Sequence, residues 1–179
     1  VRTTYAVKWA NYPNLLAEKT ITDINQVWSS DITYFQTEEA TYYIFSIMDV
    51  YSRRILGWIA ADNMRATNNI RALNMALATR KIDRFTDLIH HSDRGSQYAS
   101  DSYTELLTSY NIKISMCTTA IENAHIERVQ GTIKNQYLRH WKISSLKQLQ
   151  SKLKKAVNAY NVQRPHSSIE HKSPTEYEN

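Results

Sequence analysis

Residues 26–62 read QVWSSDITYFQTEEATYYIFSIMDVYSRRILGWIAAD. Three runs in this stretch, 26–35, 41–51 and 54–62, are rich in aromatic and β-branched side chains and predict strands. The joins between them, TEEA and SR, are too short for a crossover, so the strands are expected to form an antiparallel meander. One residue does not suit a plain strand. Asp31 stands mid-run, and an ionised carboxylate in a half-buried strand is costly unless it is paired or holds a metal.

Downstream, the pattern changes. A helix is predicted over about 67–80, with Thr67 as its cap and Ile70, Leu73 and Leu77 on one face. LIHHSD (88–93) is a fourth strand. A second helix opens at Ser100 or Asp101 and carries Tyr103, Leu106, Leu107 and Tyr110. IKISM (112–116) is a fifth strand. Strands separated by helices imply parallel pairing and a sheet covered on both faces. Two helices follow. The first, about 122–140, has an apolar stripe of Ile126, Val129, Ile133 and Tyr137. The second starts at a Ser145/Gln148 capping box, carries Leu146, Leu149, Leu153, Val157 and Tyr160, and stops before Pro165. Residues 1–24 lack periodicity and read as an N-terminal arm or linker, leaving 25–179 as a single domain. The expected architecture is α/β: a five-stranded mixed sheet with three antiparallel and two parallel strands and helices on both faces. That element order is the one found in ribonuclease H-like folds.

Composition narrows the function. No apolar stretch approaches the ~20 residues a membrane span needs. One cysteine, Cys117, excludes an internal disulfide and fits a reducing compartment. The chain carries 22 Lys+Arg against 17 Asp+Glu, a formal +5. The excess is concentrated. Between Ile126 and Arg164 lie nine basic residues, among them Arg128, Lys134, Lys154 and Lys155, and one acid, Glu127. A run so one-sided is either a solvated helical face or a phosphate-binding surface, and the ratio favours nucleic acid.

Two further carboxylates join Asp31. Asp93 ends the fourth strand in HHSDRGSQYAS (90–100), and ligands of open α/β sheets bind beyond the carboxyl ends of parallel strands. If the first and fourth strands are neighbours, Asp31 and Asp93 face each other across one crevice. Glu127 is on the first C-terminal helix. At ~100° per residue, Asn123, Glu127, Gln130 and Lys134 form one polar ridge beside the apolar stripe. Three converging carboxylates are the hard oxygen ligands that Mg²⁺ or Mn²⁺ prefers, and Lys134 could hold a phosphate beside them. Without metal the three should repel, and Glu127 is expected to stand off. Each residue also has a plain structural reading: a hydrogen-bonded strand Asp, a turn Asp, a solvated helix Glu. Asp49, before the SR join, reads as a turn or structural residue. His90, His91 and Arg94 either line the crevice or, for the histidines, pack beneath it.

The segments VWSSDITYF, SIMDVYSRRILGW, LIHHSDRGSQYAS, ENAHIERVQGTIKNQYL and AYNVQRPHSSIEHKSPTEY, in that order, resemble the catalytic core of OrfB-type insertion-sequence transposases, with their retroviral-integrase-like domain. The likeness covers nearly the whole chain, and the arm RTTYAVKWANYPNLL is similar to the linker before that core. The resemblance implies a D-D-E active site carried by Asp31, Asp93 and Glu127, with Mg²⁺ or Mn²⁺ as cofactor. It implies cleavage and joining of DNA at element ends, a bacterial, cytoplasmic and nucleoid-associated location, and a homodimer or higher oligomer. It also implies a helix-turn-helix region N-terminal to this chain. On that reading Asn123, Arg94, Arg128, Lys134, Lys154 and Lys155 contact DNA. The chain departs from the pattern in the loop CTTAIENA. It is about two residues short, which a flexible loop can absorb, lacks the family's glycine, and has Glu122 where the family has Asp. Two other functions fit the same residues: a ribonuclease H-like nuclease that cuts without joining, and a decayed copy that only binds DNA.

Overall fold

The aromatic-rich runs pair as their short joins require. The computed structural model describes residues 12–117 and 123–179. Strands β1 (Val27–Gln36), β2 (Thr41–Asp49) and β3 (Ile55–Ala61) form the antiparallel meander. Helix α1 (Ala66–Arg80) leads to β4 (Ile89–Ser92), and α2 (Asp101–Ser109) leads to β5 (Lys113–Met116). β4 pairs parallel with β1 and β5 parallel with β4, which gives the sheet order β3-β2-β1-β4-β5. Helices α3 (Ala124–Thr132), α4 (Leu146–Gln163) and the short α5 (Pro174–Tyr177) complete the chain. Among the described residues no helix is long and apolar enough to cross a membrane.

Side chains on β1 alternate between two cores. Trp28 and Ile32 join Phe45, Leu73, Tyr103 and Leu107 on the α1/α2 face. Val27 and Phe35 join Ile44, Met48, Ile126, Leu149 and Leu153 on the α3/α4 face. Each such side chain taken fully out of water contributes about 1.5–3 kcal/mol. Helix α1 lies so close to β3 that any Cβ at position 57 would strike the Ala72 carbonyl oxygen, so only Gly57 fits there.

Four local expectations are corrected. Thr67 lies inside α1; Arg65 occupies the cap position, without a capping side chain. At Ser145 only half of the capping box forms. Its hydroxyl accepts from Gln148 N (3.3 Å), but Gln148 Oε1 turns to Ser144 N (2.9 Å). The full box is at Ser173/Glu176 on α5. The helix expected over 122–140 is regular only to Thr132. A π-helical turn, Ile133–Tyr137, follows, then a 3-10 turn, Leu138–His140. The wider turn inserts one residue into the helical phase, so Leu138 rather than Tyr137 is the fully buried member of the stripe.

The expected arm divides. Residues 1–11 lie outside the described residues. From Tyr12 onward the segment docks along the free edge of β5: Pro13 O accepts from Met116 N (3.3 Å) and Leu15 N donates to Ser115 Oγ (2.9 Å). Such cover protects an edge strand from pairing with another chain. At the far end, Glu178 is clamped by Arg80 (2.6 Å), Arg54 (2.5 Å) and Ser52 Oγ (2.6 Å).

Candidate active site

The register of the parallel pair brings the two aspartates together. Ser29 is opposite His91 and Ser30 opposite Ser92, an offset of 62 residues. Asp31 and Asp93 differ by the same 62 (93 − 31), so Asp93 is the first residue past the ladder and next in register to Asp31. Neighbouring strands run about 4.8 Å apart. Side-chain alternation puts both on the α3 face. On β1, Ser29 reaches Asn123, the residue capping α3, and Thr33 is reached by Lys134 in the π turn that follows α3, so Asp31 between them points the same way. On β4, His90 faces α2, His91 faces back, and Asp93 shares the parity of His91.

Helix α3 is laid along β1 by three polar contacts. Ser29 Oγ donates to Asn123 Oδ1, and Asn123 Nδ2 donates to Ser30 O (3.2 Å). Further along the helix, Gln130 Nε2 donates to Asp31 O (3.0 Å). Lys134 Nζ then donates to Thr33 Oγ1 (2.8 Å) and stands 5.3 Å from the Tyr34 ring centre. Glu127 lies between Asn123 and Gln130 on this ridge, exposed, over the Ser30–Asp31 segment. The buried Asn123 and Gln130 satisfy β1 backbone groups, so the placement of Glu127 comes from hydrogen bonds on either side of it.

Electrostatics records the convergence. The Asp31 carboxyl is pushed up from 3.8 to about 7, first by burial, then by the negative charges of Asp93 and Glu127. The Ile32 N–H and the Lys134 ammonium pull the other way. Asp93 is exposed, and its Oδ1 accepts from Gly95 N (2.9 Å). A Cβ at position 95 would lie 2.9 Å from that oxygen and 3.1 Å from Gln97 Oε1. Gly95 is therefore what lets the turn fold back onto the carboxylate.

Among the described residues no three Asp, Glu, His or Cys side chains are arranged as a ready-made metal cage. The donor set nevertheless suits a hard divalent cation. It is all carboxylate, and one member resists ionisation, through burial and through its neighbours' uncompensated charges. This gives a first measurable consequence. Between pH 4 and 7 the folded protein keeps a proton on Asp31 that the unfolded chain releases, so metal-free stability falls as pH rises through that window. Asp31→Asn removes the penalty. Metal-free Asp31→Asn protein is expected to be more stable than the parent by on the order of 2 kcal/mol at pH 8, with the gap closing towards pH 4. Urea melts at the two pH values measure it; an unchanged or reduced stability at pH 8 would refute the strained-carboxylate account.

The remaining expected site residues separate. Arg94 is exposed beside Asp93, and Arg128 is exposed on α3 next to Glu127. Lys154 and Lys155 are exposed on α4. His90 does not line the crevice. It is buried on the opposite face, bonded through Nε2 to Tyr103 Oη (2.9 Å), and burial pulls its pKa down to about 3. His91 faces the α3 side but lies one step below the aspartates, with Nδ1 2.9 Å from Ser115 Oγ. Asp49 is structural, accepting from the N–H groups of Asn25, Tyr51 and Ser52 and from Arg80. The shortened loop, with Glu122, lies outside the described residues. Sequence reasoning missed the roles of Ser29 and Ser30; nothing in their local pattern shows that a helix about 94 positions away would seat on them.

A mixed sheet in this order, with one acidic group midway along β1, a second just past the end of the neighbouring β4 and a third on the covering helix, defines the ribonuclease H-like class. An integrase core domain profile matches residues 22–120, and a second integrase core domain profile matches 108–174. The chain belongs to the integrase core domain family. It is 35% identical over 169 residues to the insertion element IS600 uncharacterized 31 kDa protein of Shigella sonnei, covering 92% of this chain and 61% of that one. It is 33% identical over 158 residues to transposase InsF for insertion sequence IS3A of Escherichia coli K12, covering 87% and 54%. It is 35% identical over 120 residues to the putative transposase for IS986/IS6110 of Mycobacterium tuberculosis, covering 64% and 43%. The chain thus spans less than two thirds of each of these relatives. In structure it resembles the HTLV-2 integrase catalytic core domain in complex with magnesium, with TM-score 0.70 and 21% identity over 88% of this chain and 98% of that one. The catalytic core of BIV integrase gives TM-score 0.62 at 17% identity over 85% and 92%.

Proposed function

We propose that this chain is the catalytic core of a transposase that cleaves DNA at the ends of an insertion element and joins those ends to target DNA. The observation that carries the reading is the shared 62-residue offset, which sets Asp31 beside Asp93, with Glu127 held over β1 by Asn123 and Gln130. Asp31, Asp93 and Glu127 would hold Mg²⁺ or Mn²⁺. When bound, such ions supply Lewis-acid stabilisation of the phosphoryl group and activation of a water or 3′-hydroxyl. The protein's own part is positional. Asp31 is fixed by its pairing with Ser46 of β2, one residue past the end of the β4 ladder, and Asp93 by the Gly95 turn. Lys134 presents an ammonium on the same helix face, where a phosphate can exchange for its Thr33 contact. The magnesium held by the HTLV-2 neighbour and the dimeric and trimeric forms described for it support a metal-dependent, oligomeric reading of this chain too.

The alternative functions part on product. Incubation with labelled element-end duplex and Mn²⁺ should give joined products. Nicked fragments without joining would favour a hydrolytic nuclease, and binding without either would favour a decayed copy.

The exposed lysines of α4 should behave differently from Lys134. Phosphate contacts position DNA without reading bases. Lys154→Ala with Lys155→Ala is expected to weaken binding equally on element-end and random duplexes and to flatten the log–log salt slope by about 0.9 for each phosphate no longer neutralised. Lys134→Ala should reduce joining more than binding. Anisotropy titrations at several salt concentrations, beside a joining assay, measure both. Tight, salt-insensitive binding to one sequence would mean that the core itself reads bases.

A further inference from the structure

A second group of cations lies on the α3/α4 face, apart from the lysines of α4. Arg53 sits in the β2–β3 turn in a left-handed conformation, φ 65°. Its Nη1 is buried without a hydrogen-bond partner among the described residues. Arg164, which caps the C-terminus of α4, gives one guanidinium nitrogen to Gln136 Oε1 and leaves Nε buried and unpartnered. His166 packs edge-on against Tyr160, ring centres 4.7 Å apart, and its Nε2 is likewise buried and unpartnered. Arg128, one residue past Glu127, lies near enough that its charge lowers the Arg53 pKa, after the larger effect of burial. The His166 imidazole is held down to about 4 by burial, then by Arg164 and Arg53.

No acid among the described residues neutralises this group. None of Arg53, Arg128 and Arg164 takes part in an ion pair there. The carboxylate that acts on Arg53, Asp49, is already held by Arg80 and three backbone N–H groups. Glu170 is engaged by Lys172 at 2.9 Å. Buried donors without partners and guanidinium groups without counter-charge cost free energy in the unliganded protein. A ligand with several anionic acceptor oxygens removes both costs, and guanidinium forks match phosphate geometry.

We propose that Arg53, Arg128, Arg164 and His166 form a seat for a backbone phosphate of DNA, next to Glu127 on the flank of the candidate active site. The seat rests on the reading of the chain as a DNA-joining core. It adds a place where the strand leaving the carboxylates is held, built from a turn, a helix and a post-helical loop. The lysines of α4, by contrast, offer contacts from one exposed surface.

The test uses Arg53→Asn, which tolerates positive φ, and Arg128→Gln at an exposed helix position, alone and combined. The comparator is Arg84→Gln, the same charge change at an exposed position between α1 and β4. Binding to fluorescein-labelled duplex is read by anisotropy in EDTA, so that no chemistry intervenes. The double variant is expected to bind about tenfold more weakly near 0.1 M salt, with the salt slope reduced by roughly 1–2, while Arg84→Gln stays within about twofold. Without DNA, Arg128→Gln should melt at the same temperature as the parent or higher, because it relieves repulsion. Parent-like DNA binding by the double variant overturns the seat. So does a lowered melting temperature of Arg128→Gln with binding unchanged, which would mark the cluster as structural. If the parent chain joins no DNA ends but the double variant still loses binding, the joining reading fails and the seat stands.

Discussion

Asp93→Asn is expected to abolish joining of element ends while leaving the fold intact. Asp93 lies just past the β1–β4 ladder, exposed, and its hydrogen bond from Gly95 N can be accepted equally by an amide oxygen. The change therefore costs little structurally. It does remove one of the negative charges that raise the Asp31 pKa. If the carboxylates hold divalent ions, losing one forfeits several kcal/mol of transition-state stabilisation, a fall on the order of 10³-fold or more. Joining assays with Mn²⁺, circular dichroism and calorimetric titration of Mn²⁺ should be run together. The expected pattern is an unchanged spectrum, weakened metal binding and no joined product. Joining within about tenfold of the parent, a difference of only ~1.4 kcal/mol, would remove Asp93 from the site.

Arg80→Met is expected to be the most damaging change away from the site. Arg80 ends α1 and bridges two carboxylates, Asp49 at 3.0 Å and Glu178 at 2.6 Å. The Asp49 side chain is fully buried, and burial already raises its pKa despite the Arg80 charge. Removing one partner of a buried pair leaves an uncompensated charge and costs about 3–5 kcal/mol. For a domain of this size that lowers the melting temperature by roughly 10 °C. Adding Asp49→Asn to Arg80→Met should recover part of the loss, since Asp49 is the carboxylate left without a cation, whereas Glu178 keeps Arg54 and Ser52. A loss below about 1 kcal/mol would show that water or Arg54 replaces the guanidinium, and that the C-terminus is not latched through Arg80.

Local pattern was enough for the five strands and their order in the chain. Period-two runs with turns of a few residues leave a meander as the one economical solution, and helices between the later runs require parallel pairing. The ridge on α3 was legible too, because a helix repeats its geometry. Asn123, Gln130 and Lys134 all bond to β1, as a polar face beside an apolar stripe implies. That regularity ended at Ile133, where a π turn moved burial from Tyr137 to Leu138.

Other features depended on which strands and loops became neighbours. Asp31 and Asp93 could be suspected separately, but only the β1–β4 register puts them side by side. The histidines of HHSD were indistinguishable by composition. Strand alternation sent His90 into the α2 core and His91 to the other face. Glu178 pairs with Arg80, 98 positions earlier, and no local pattern announces that contact. Arg53 and His166 lie in segments that carry the family resemblance, but nothing local in either segment says that the two come near each other. Long-range contacts between charged groups leave no periodic trace in a chain, because they follow from how elements dock and not from the repeat of any one element.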